Sequence, residues 1–167
     1  MDLRELQAPL KQRYRDEPDA AKLTLTARGS QTDSALSCSV DLGRALQQAQ
    51  AHVGVGGAGT AACSGDLLLG ALAACAQLTC QMVAEATGVP ARRIETIVEG
   101  DLDLRGTLGV DPEAPVGFER IRMRFEVDAP GAADAQLERL LARTERACTV
   151  LQSLLVQPAI ETTLVRG

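Results

Sequence analysis

Two cysteines lie in stretches of sequence that predict buried helices. Cys75 lies in the segment SGDLLLGALAACAQLTCQMVAEATG, residues 64–88, and Cys148 lies in a second long segment, residues 132–155. A cysteine thiolate is a nucleophile that can be oxidised to a sulfenic acid, and a second thiol can convert that acid to a disulfide. A cysteine in the middle of an apolar helix is more often a small core residue. The pattern therefore leaves a redox site and a purely structural role both open.

The composition of the chain argues against several classes of function. The chain has 167 residues and a formal net charge of −5, so it lacks the positive charge of a protein that binds nucleic acid or an anionic membrane. Its five cysteines are an odd number at irregular spacing, which predicts neither a disulfide framework nor a zinc site. His52 is the single histidine, and this excludes a histidine-rich metal site. We predict a protein that uses no metal and no cofactor.

The N-terminal segment favours a cytoplasmic protein. Residues 1–18, MDLRELQAPLKQRYRDEP, are charged throughout and lack the apolar segment of a secretory signal. Residues 1–20 are expected to form an N-terminal arm or a polar helix. The length of the chain is that of one domain with its own core, and we predict a single domain over residues 1–167.

A glycine-rich stretch precedes the first long helix. Gly54, Gly56 and Gly59 match the G-x-G-x-x-G pattern of dinucleotide-binding loops. Ser64 lies five positions after Gly59, and no strand–helix–strand crossover surrounds the glycines. A flexible loop is the favoured interpretation, and a nucleotide-binding protein remains an alternative.

The segment around Cys75 predicts a helix inside the structure. Ser64 is a good N-cap residue, Asp66 places a carboxylate in the first turn, and Gly88 is a stop signal. The unbroken apolar run is about ten residues, too short to span a bilayer. We therefore predict a core helix and no association with a membrane.

The segment around Cys148 predicts a second long helix, residues 132–155. Apolar and small residues recur on one face at steps of four and three: Leu137, Leu141, Thr144, Cys148, Leu151 and Leu155. Cys148 lies on this face, so it points toward the core or toward a partner helix.

Alternating patterns predict strands on either side of the helices. Residues 22–28 and 36–42 form a predicted hairpin with its turn at 29–33, and residues 44–50 fit either a helix or a strand. Residues 94–104 and 117–128 each have one charged face, the first acidic and the second rich in arginine, so antiparallel pairing would place opposite charges side by side. Residues 160–165 are predicted to be a final strand. The order indicates an α+β fold, an antiparallel sheet packed on two long central helices.

Three pieces of the sequence resemble the OsmC/Ohr family of osmotically inducible and organic-hydroperoxide-resistance proteins. They are GDLLLGALAAC (65–75), GDLDLRGTLGVDPEAPVGF (100–118) and TERACTVLQSLL (144–155). The resemblance implies an intertwined homodimer with a two-cysteine site at the subunit interface. It implies reduction of organic hydroperoxides by thiols, in some members by dithiols carried on lipoylated proteins. By position, Cys75 matches the peroxidatic cysteine of the family and Cys148 the resolving cysteine.

The resemblance also suggests charged partners for Cys75. Arg28 and Gly29 resemble an Arg-Gly pair of the hydroperoxide-reductase branch, and the glutamate of that branch falls at Gly65, with Asp66 beside it as a substitute. Burial raises the pKa of a thiol, and Cys75 lies about three turns from the helix start, so we expect a cation, Arg28 or Arg105, to stabilise the thiolate. The alternative is an OsmC-like protein that binds a small molecule with altered activity or none, because Gly65 lacks the carboxylate.

Overall fold

The computed structural model of the protein describes Asp16 and residues 28–31, 37–41, 46–109 and 111–166. The strands among these residues are β1 (Arg28–Gln31), β2 (Ser37–Asp41), β3 (Leu46–Gln50), β4 (Arg93–Asp101) and β5 (Arg120–Asp128). The α-helices are α1 (Ser64–Thr87), α2 (Leu104–Thr107), α3 (Asp134–Ala147) and α4 (Thr149–Leu155), and a 3₁₀ turn covers Val53–Val55. Antiparallel strands with helices confirm the predicted α+β class.

The described chain forms two compact units. The first contains the described residues up to Gly70 together with Ile97–Arg124, and the second contains Ala71–Thr96 and the residues from Phe125 onward. Both Cys75 and Cys148 belong to the second unit. The single domain over residues 1–167 stays a prediction, and its N-terminal arm lies outside the described residues apart from Asp16.

The first three strands form an antiparallel sheet with β2 in the middle. The predicted hairpin is confirmed, but the turn at 29–33 is wrong because β1 runs from Arg28 to Gln31. Gly29 pairs with Val40, so pairing along the ladder outweighs the turn preference of glycine.

Two further predictions concern this part of the chain, one for residues 44–50 and one for residues 22–27. The segment that fitted either a helix or a strand is strand β3, which pairs with β2 from Leu46 opposite Asp41. The predicted strand residues 22–27 lie outside the described residues.

Helix α1 begins at a reciprocal cap formed by Cys63 and Asp66. The Cys63 N–H donates to the Asp66 carboxylate at 2.9 Å, and the Asp66 N–H donates to the Cys63 sulfur at 3.4 Å. The Leu67 N–H donates to the Cys63 carbonyl at 3.0 Å. Cys63 is therefore the N-cap residue, and the assignment of Ser64 was wrong by one position, because the thiol takes the part that a hydroxyl usually plays in a capping box. The carboxylate in the first turn is confirmed.

Helix α1 ends at the predicted glycine. Gly88 has a φ of 70°, which favours glycine, and its N–H donates to the Glu85 carbonyl at 3.3 Å. The Val89 N–H donates to the Ala84 carbonyl at 2.9 Å, which completes a Schellman motif. By length and composition alone α1 could cross a membrane, a test that core helices of soluble proteins also pass.

Strands β4 and β5 are hydrogen-bonded neighbours that run antiparallel. At one end the Arg92 N–H donates to the Asp128 carbonyl at 2.7 Å, and at the other the Glu119 N–H donates to the Asp101 carbonyl at 2.9 Å. The predicted ion pairs are confirmed: Arg122 contacts the Asp101 carboxylate and lies 3.6 Å from that of Glu99. These charged groups are exposed, as the alternating pattern requires.

The second long helix, predicted over residues 132–155, is divided. Helix α3 ends at Ala147 and α4 begins at Thr149, with Cys148 between them in an extended conformation (φ −75°, ψ 103°). Neither proline nor glycine marks the break, so the periodic pattern gives no sign of it.

The predicted C-terminal strand at residues 160–165 is wrong. Residues 157–166 contain no strand, and Ile160 and Leu164 are 74% and 86% exposed. An alternating pattern forms a strand only beside an edge with which it can pair, and no described strand pairs with this segment.

The core of the second unit lies between α1 and α3. Cys80, Ala84, Val89 and Leu140 are its buried members, and Val89 follows directly on the end of α1. Partly buried side chains of β5, including Phe125 and Val127, pack against them. This core fixes α3, and therefore Cys148 at its end, against the helix that carries Cys75.

Candidate active site

Cys75 lies in the middle of α1, partly buried, with polar partners from two segments. The backbone N–H groups of Val150 and Thr149 hydrogen-bond to its sulfur, as does the hydroxyl of Thr79, one turn along α1. The thiol of Cys148 is a further hydrogen-bond partner. The structure therefore brings together the two cysteines that the sequence singled out.

The break between α3 and α4 supplies the backbone donors. The extended conformation of Cys148 interrupts the helical ladder, so N–H groups at the start of α4 have no partner within α3. The Gln152 side-chain amide donates to the Glu145 carbonyl at 2.8 Å, a carbonyl that an unbroken helix would pair with the Thr149 N–H. This bond provides the Glu145 carbonyl of α3 with a donor, so the Thr149 N–H is left to donate to the Cys75 sulfur.

The pKa of Cys75 reflects two opposing effects. Burial disfavours the thiolate and by itself would raise the pKa. The hydrogen bonds from Val150, Cys148, Thr79 and Thr149 favour the thiolate and together outweigh burial, so the pKa of Cys75 lies below its usual value. Cys75 is thus the thiol of the pair that ionises first.

The pKa of Cys148 lies above its usual value. Burial is the largest cause, because Cys148 is fully buried, and the neighbouring Cys75 adds to it by hydrogen bonding and by repulsion of a second negative charge. The Leu151 and Val150 N–H groups oppose the rise but do not cancel it. The two cysteines therefore differ in character, with a thiolate favoured at Cys75 and a protonated thiol at Cys148.

The sequence analysis expected a cation to stabilise the Cys75 thiolate. In the part of the chain that the structure describes, the groups that lower the Cys75 pKa are uncharged hydrogen-bond donors. Sequence reasoning missed Thr79, Val150 and Thr149. A threonine four residues after a cysteine on a helix is a detectable signal, but backbone donors released by an unmarked break are not.

The predicted charged partners have contacts within the first unit. Arg105 forms ion pairs with Asp103 and with Asp111, the second at 3.1 Å. The Asp66 carboxylate caps α1, and the hydrogen bond from the Cys63 N–H holds the pKa of this carboxyl below its usual value. Arg28 begins strand β1, opposite Asp41. Roles for these three side chains in catalysis stay predictions.

Gly65 leaves no carboxylate in the first turn of α1 other than that of Asp66. A Cβ at position 65 would lie 3.4 Å from the Phe118 ring and 3.5 Å from the Cys63 sulfur. Both distances are ordinary van der Waals contacts, so a Cβ at this position would pack against one of the two phenylalanines of the chain.

The other cysteines and the glycine loop lie outside the pair. Cys80 is buried in the core of the second unit, and burial raises its pKa. His52 accepts a hydrogen bond from the Gly54 N–H at 3.0 Å and caps the 3₁₀ turn. The glycine stretch thus forms a turn between β3 and α1. Among the described residues no group of three or more His, Cys, Asp or Glu side chains is arranged to hold a metal ion.

Comparison with solved structures finds the same fold in proteins of low sequence identity. An OsmC-like protein from Mycoplasma pneumoniae is 16% identical, with a TM-score of 0.67 over 80% of this chain and 89% of that one. An organic hydroperoxide resistance protein, OsmC, from Legionella pneumophila is 19% identical, with a TM-score of 0.58 over 80% and 90%. An OsmC-like protein of unknown function from Vibrio cholerae is 13% identical, with a TM-score of 0.65 over 79% and 94%.

Comparison by sequence gives the family. No match was found among curated proteins. The family model described as OsmC-like protein matches residues 57–164, which include both cysteines of the pair. This chain therefore belongs to the family of OsmC-like proteins.

Proposed function

We propose that this protein is a thiol-dependent peroxidase that reduces organic hydroperoxides through Cys75 and Cys148. The contact between the two thiols carries the proposal, because one has a lowered pKa and the other a raised one. A peroxidase of this kind needs an ionised attacking thiol and a second thiol within reach. Membership of a family whose relatives include organic hydroperoxide resistance proteins supports it.

In the first step the Cys75 thiolate attacks one oxygen of the hydroperoxide. An S–O bond forms as the O–O bond breaks, and the alkoxide takes a proton from solvent and leaves as an alcohol. Cys75 is oxidised to a sulfenic acid, and the peroxide is reduced by two electrons. Hydrogen bonds from Val150, Thr149 and Thr79 favour the ionised form of Cys75 before the attack.

In the second step Cys148 attacks the sulfenic sulfur. An S–S bond forms, the S–O bond breaks, and hydroxide leaves with the Cys148 proton as water. Once Cys75 is a neutral sulfenic acid it no longer repels a charge on Cys148, so the pKa of Cys148 falls when its thiolate is needed. An external dithiol, such as that of a lipoylated protein, then reduces the disulfide by thiol exchange and restores both thiols.

We propose further that the active form is a homodimer in the cytoplasm, where thiols are kept reduced. Large apolar side chains are exposed on α1 and along the C-terminal segment, among them Leu78 (60%), Ile160 (74%) and Leu164 (86%). Burial of such a surface against a second copy stabilises the assembly. Light scattering at low micromolar concentration should give the mass of a dimer, and a monomeric mass would contradict this part of the proposal.

Peroxide consumption with a dithiol reductant tests the chemistry. Cys75→Ser should abolish turnover of cumene hydroperoxide and leave Cys148 unreacted. Cys148→Ser should still undergo one round of oxidation, and dimedone should then label the sulfenic acid at Cys75, while turnover falls. The two variants should therefore fail in different ways.

Cys63→Ser is the matched control, because serine is an effective N-cap and the change of sulfur to oxygen is the same. This variant should keep the turnover of the unmodified protein. If neither Cys75→Ser nor Cys148→Ser alters peroxide consumption, the proposal that this protein is a peroxidase is wrong. An OsmC-like protein that binds a small molecule without this activity is then favoured.

A further inference from the structure

A cavity in the second unit lies between the end of α1 and helix α3, and the charged side chains that line it, among the described residues, are two arginines. Its volume is about 230 Å³. Arg139, Arg143 and Gln136 line it from α3, and Thr87 and Val89 line it from the end of α1 and the residues that follow. None of the described residues that line it is acidic, although the chain as a whole carries a net charge of −5.

The two arginines of this cavity have no counter-charge among the residues that the structure describes. Neither guanidinium forms an ion pair or a hydrogen bond with any residue that the structure describes, whereas Arg93, Arg105 and Arg122 all have carboxylate partners. Arg139 and Arg143 are four residues apart on one helix, where like charges repel and destabilise the helix. A pair of this kind costs stability unless something binds to it.

The end of α1 does not provide the missing negative charge. Three carbonyls near this end are already engaged: the Ala84 and Glu85 carbonyls accept from Val89 and Gly88, and the Val83 carbonyl accepts from the Thr87 hydroxyl at 2.7 Å. These bonds weaken the negative potential that an open helix end would direct at the arginines.

The side chains that α3 contributes to the cavity offer mainly hydrogen-bond donors to a ligand. The Gln136 side-chain oxygen accepts from the Ala133 N–H at 2.9 Å, so its amide nitrogen is the part that remains for a ligand. Each guanidinium offers a planar fork of N–H groups that matches the two oxygens of a carboxylate or phosphate. The volume suits an ion of phosphate or short dicarboxylate size and is smaller than the usual cavity for a drug-sized molecule.

We propose that this cavity binds a small oxyanion, the phosphate or carboxylate group of a metabolite, held by Arg139 and Arg143 and oriented by the Gln136 amide. The site is independent of the peroxidase chemistry, because none of its residues contacts Cys75 or Cys148 through the hydrogen bonds described above. Oxyanion binding would remove the repulsion between the two arginines and join the end of α1 to α3.

Isothermal titration calorimetry of the full chain with inorganic phosphate, and separately with succinate, tests the proposal. Sodium chloride keeps the ionic strength constant, so that general screening gives no signal. We expect saturable binding of one anion per chain. The anion that binds with the higher affinity identifies the ligand group as a phosphate or a carboxylate. R139Q/R143Q should weaken that binding at least tenfold.

Arg146→Gln is the matched control, since it removes one positive charge from the same helix at a residue that does not line the cavity. It should leave the affinity within about twofold of the unmodified protein, a difference of less than ~0.5 kcal/mol. Circular dichroism should show that R139Q/R143Q is folded. Absence of saturable binding of either anion by the unmodified protein, or an equal loss in Arg146→Gln, would overturn the proposal.

Discussion

The positive charge of Arg105 in the first unit and the negative charge of the Cys75 thiolate in the second are stabilised in different ways. Arg105 pairs with two carboxylates from its own neighbourhood, Asp103 and Asp111, on an exposed surface. Cys75 is partly buried and receives its stabilisation from two backbone N–H groups, a hydroxyl and a thiol, all of them uncharged. The charge of Arg105 is neutralised by opposite charges, and that of the Cys75 thiolate is accommodated by dipoles.

The difference bears on how a thiol can be made reactive in a buried helix. An ion pair on the surface is screened by solvent and contributes little to stability. A hydrogen bond to an ionised group in a buried site is stronger, because the surroundings do not compete for it. For Cys75, the break at Cys148 therefore supplies uncharged donors, and the arginine that the sequence analysis expected stays a prediction.

The strongest test of this comparison removes the hydroxyl donor of Cys75. Thr79→Val keeps the shape of a buried side chain but removes its hydrogen bond to the thiolate, so the pKa of Cys75 should rise. We expect alkylation of Cys75 by iodoacetamide at neutral pH to slow by about 3- to 10-fold, which corresponds to the loss of ~0.6–1.4 kcal/mol of hydrogen bonding. Mass spectrometry of the labelled peptide reports Cys75 separately from the other cysteines.

Thr79→Ser supplies the matched control, because it retains the hydroxyl at the same position. Its alkylation rate and the pH at which the rate reaches half its maximum should stay close to those of the unmodified protein. Equal slowing in the valine and serine variants would show that packing, and not the hydrogen bond, sets the reactivity of Cys75.

A smaller effect is expected when the break is disturbed from its other side. Gln152→Ala removes the donor to the Glu145 carbonyl, which allows the Thr149 N–H to return toward that carbonyl and away from Cys75. The pH midpoint of Cys75 alkylation should move upward, and the rate at neutral pH should fall by roughly two- to threefold, since less than ~1 kcal/mol of hydrogen bonding is redirected.

Ser153 offers the comparison for that variant. Its hydroxyl donates to the Thr149 carbonyl at 2.9 Å within α4 and does not reach Glu145. Ser153→Ala should therefore leave the reactivity of Cys75 unchanged. If the alanine variants at 152 and 153 behave alike, the Gln152 bond does not hold the break.

The sequence predicted those features that depend on local patterns. The α+β class follows from alternation and helical periodicity, the end of α1 follows from the left-handed conformation that Gly88 can adopt, and the ion pairs of Arg122 follow from complementary charged faces. The pairing of Cys75 with Cys148 was implied by the family resemblance, since the pattern of residues alone left a structural role open for both.

What could not be predicted depends on contacts between distant segments. The break at Cys148 has no proline or glycine to mark it in the sequence. The N–H groups that it frees, those of Thr149 and Val150, hydrogen-bond to the sulfur of Cys75, more than seventy residues earlier in the chain. Cys63 took the N-cap position because a thiol accepts a hydrogen bond, a role for which cysteine is not ordinarily considered. The final strand failed because a pattern does not supply the edge with which a strand must pair.

The cap of α1, in the first unit, combines the charge of Asp66 with backbone N–H groups. Asp66→Ala removes the acceptor of the Cys63 N–H, and we expect it to lower the free energy of unfolding by about 0.5–1.5 kcal/mol. Chemical denaturation of the variant and the unmodified protein gives this difference. Asp66→Asn keeps an acceptor without the charge and should lose less.

The contribution of Asp66 should also depend on pH in a defined direction. Because the pKa of this carboxyl is lower in the folded protein than its ordinary value of 3.8, the stabilisation is complete above 3.8 and is lost as the pH falls through the folded value. The difference in stability between the unmodified protein and Asp66→Asn should shrink below that pH. A difference that stays constant down to low pH would mean that the cap does not depend on the charge.

The smallest effect is expected at the exposed ion pair between β4 and β5. Asp101→Asn removes one carboxylate from Arg122, but Glu99 lies 3.6 Å from the same guanidinium and can take over the contact.

The bond from Arg122 holds the pKa of Asp101 below its usual value, so the stabilisation that it provides is present at neutral pH and is lost as the pH falls through that lowered pKa. The loss in melting temperature at neutral pH should be smaller than that of Asp66→Ala, and 1 M salt should reduce it further, because both partners are exposed to the screening ions. Glu99→Gln/Asp101→Asn leaves Arg122 without either acceptor and should lose more than the single variant. If Asp101→Asn alone costs as much as the loss of the cap at Asp66, then an exposed ion pair stabilises the first unit as strongly as the cap of α1, and the contrast between exposed ion pairs and hydrogen bonds to backbone groups is wrong.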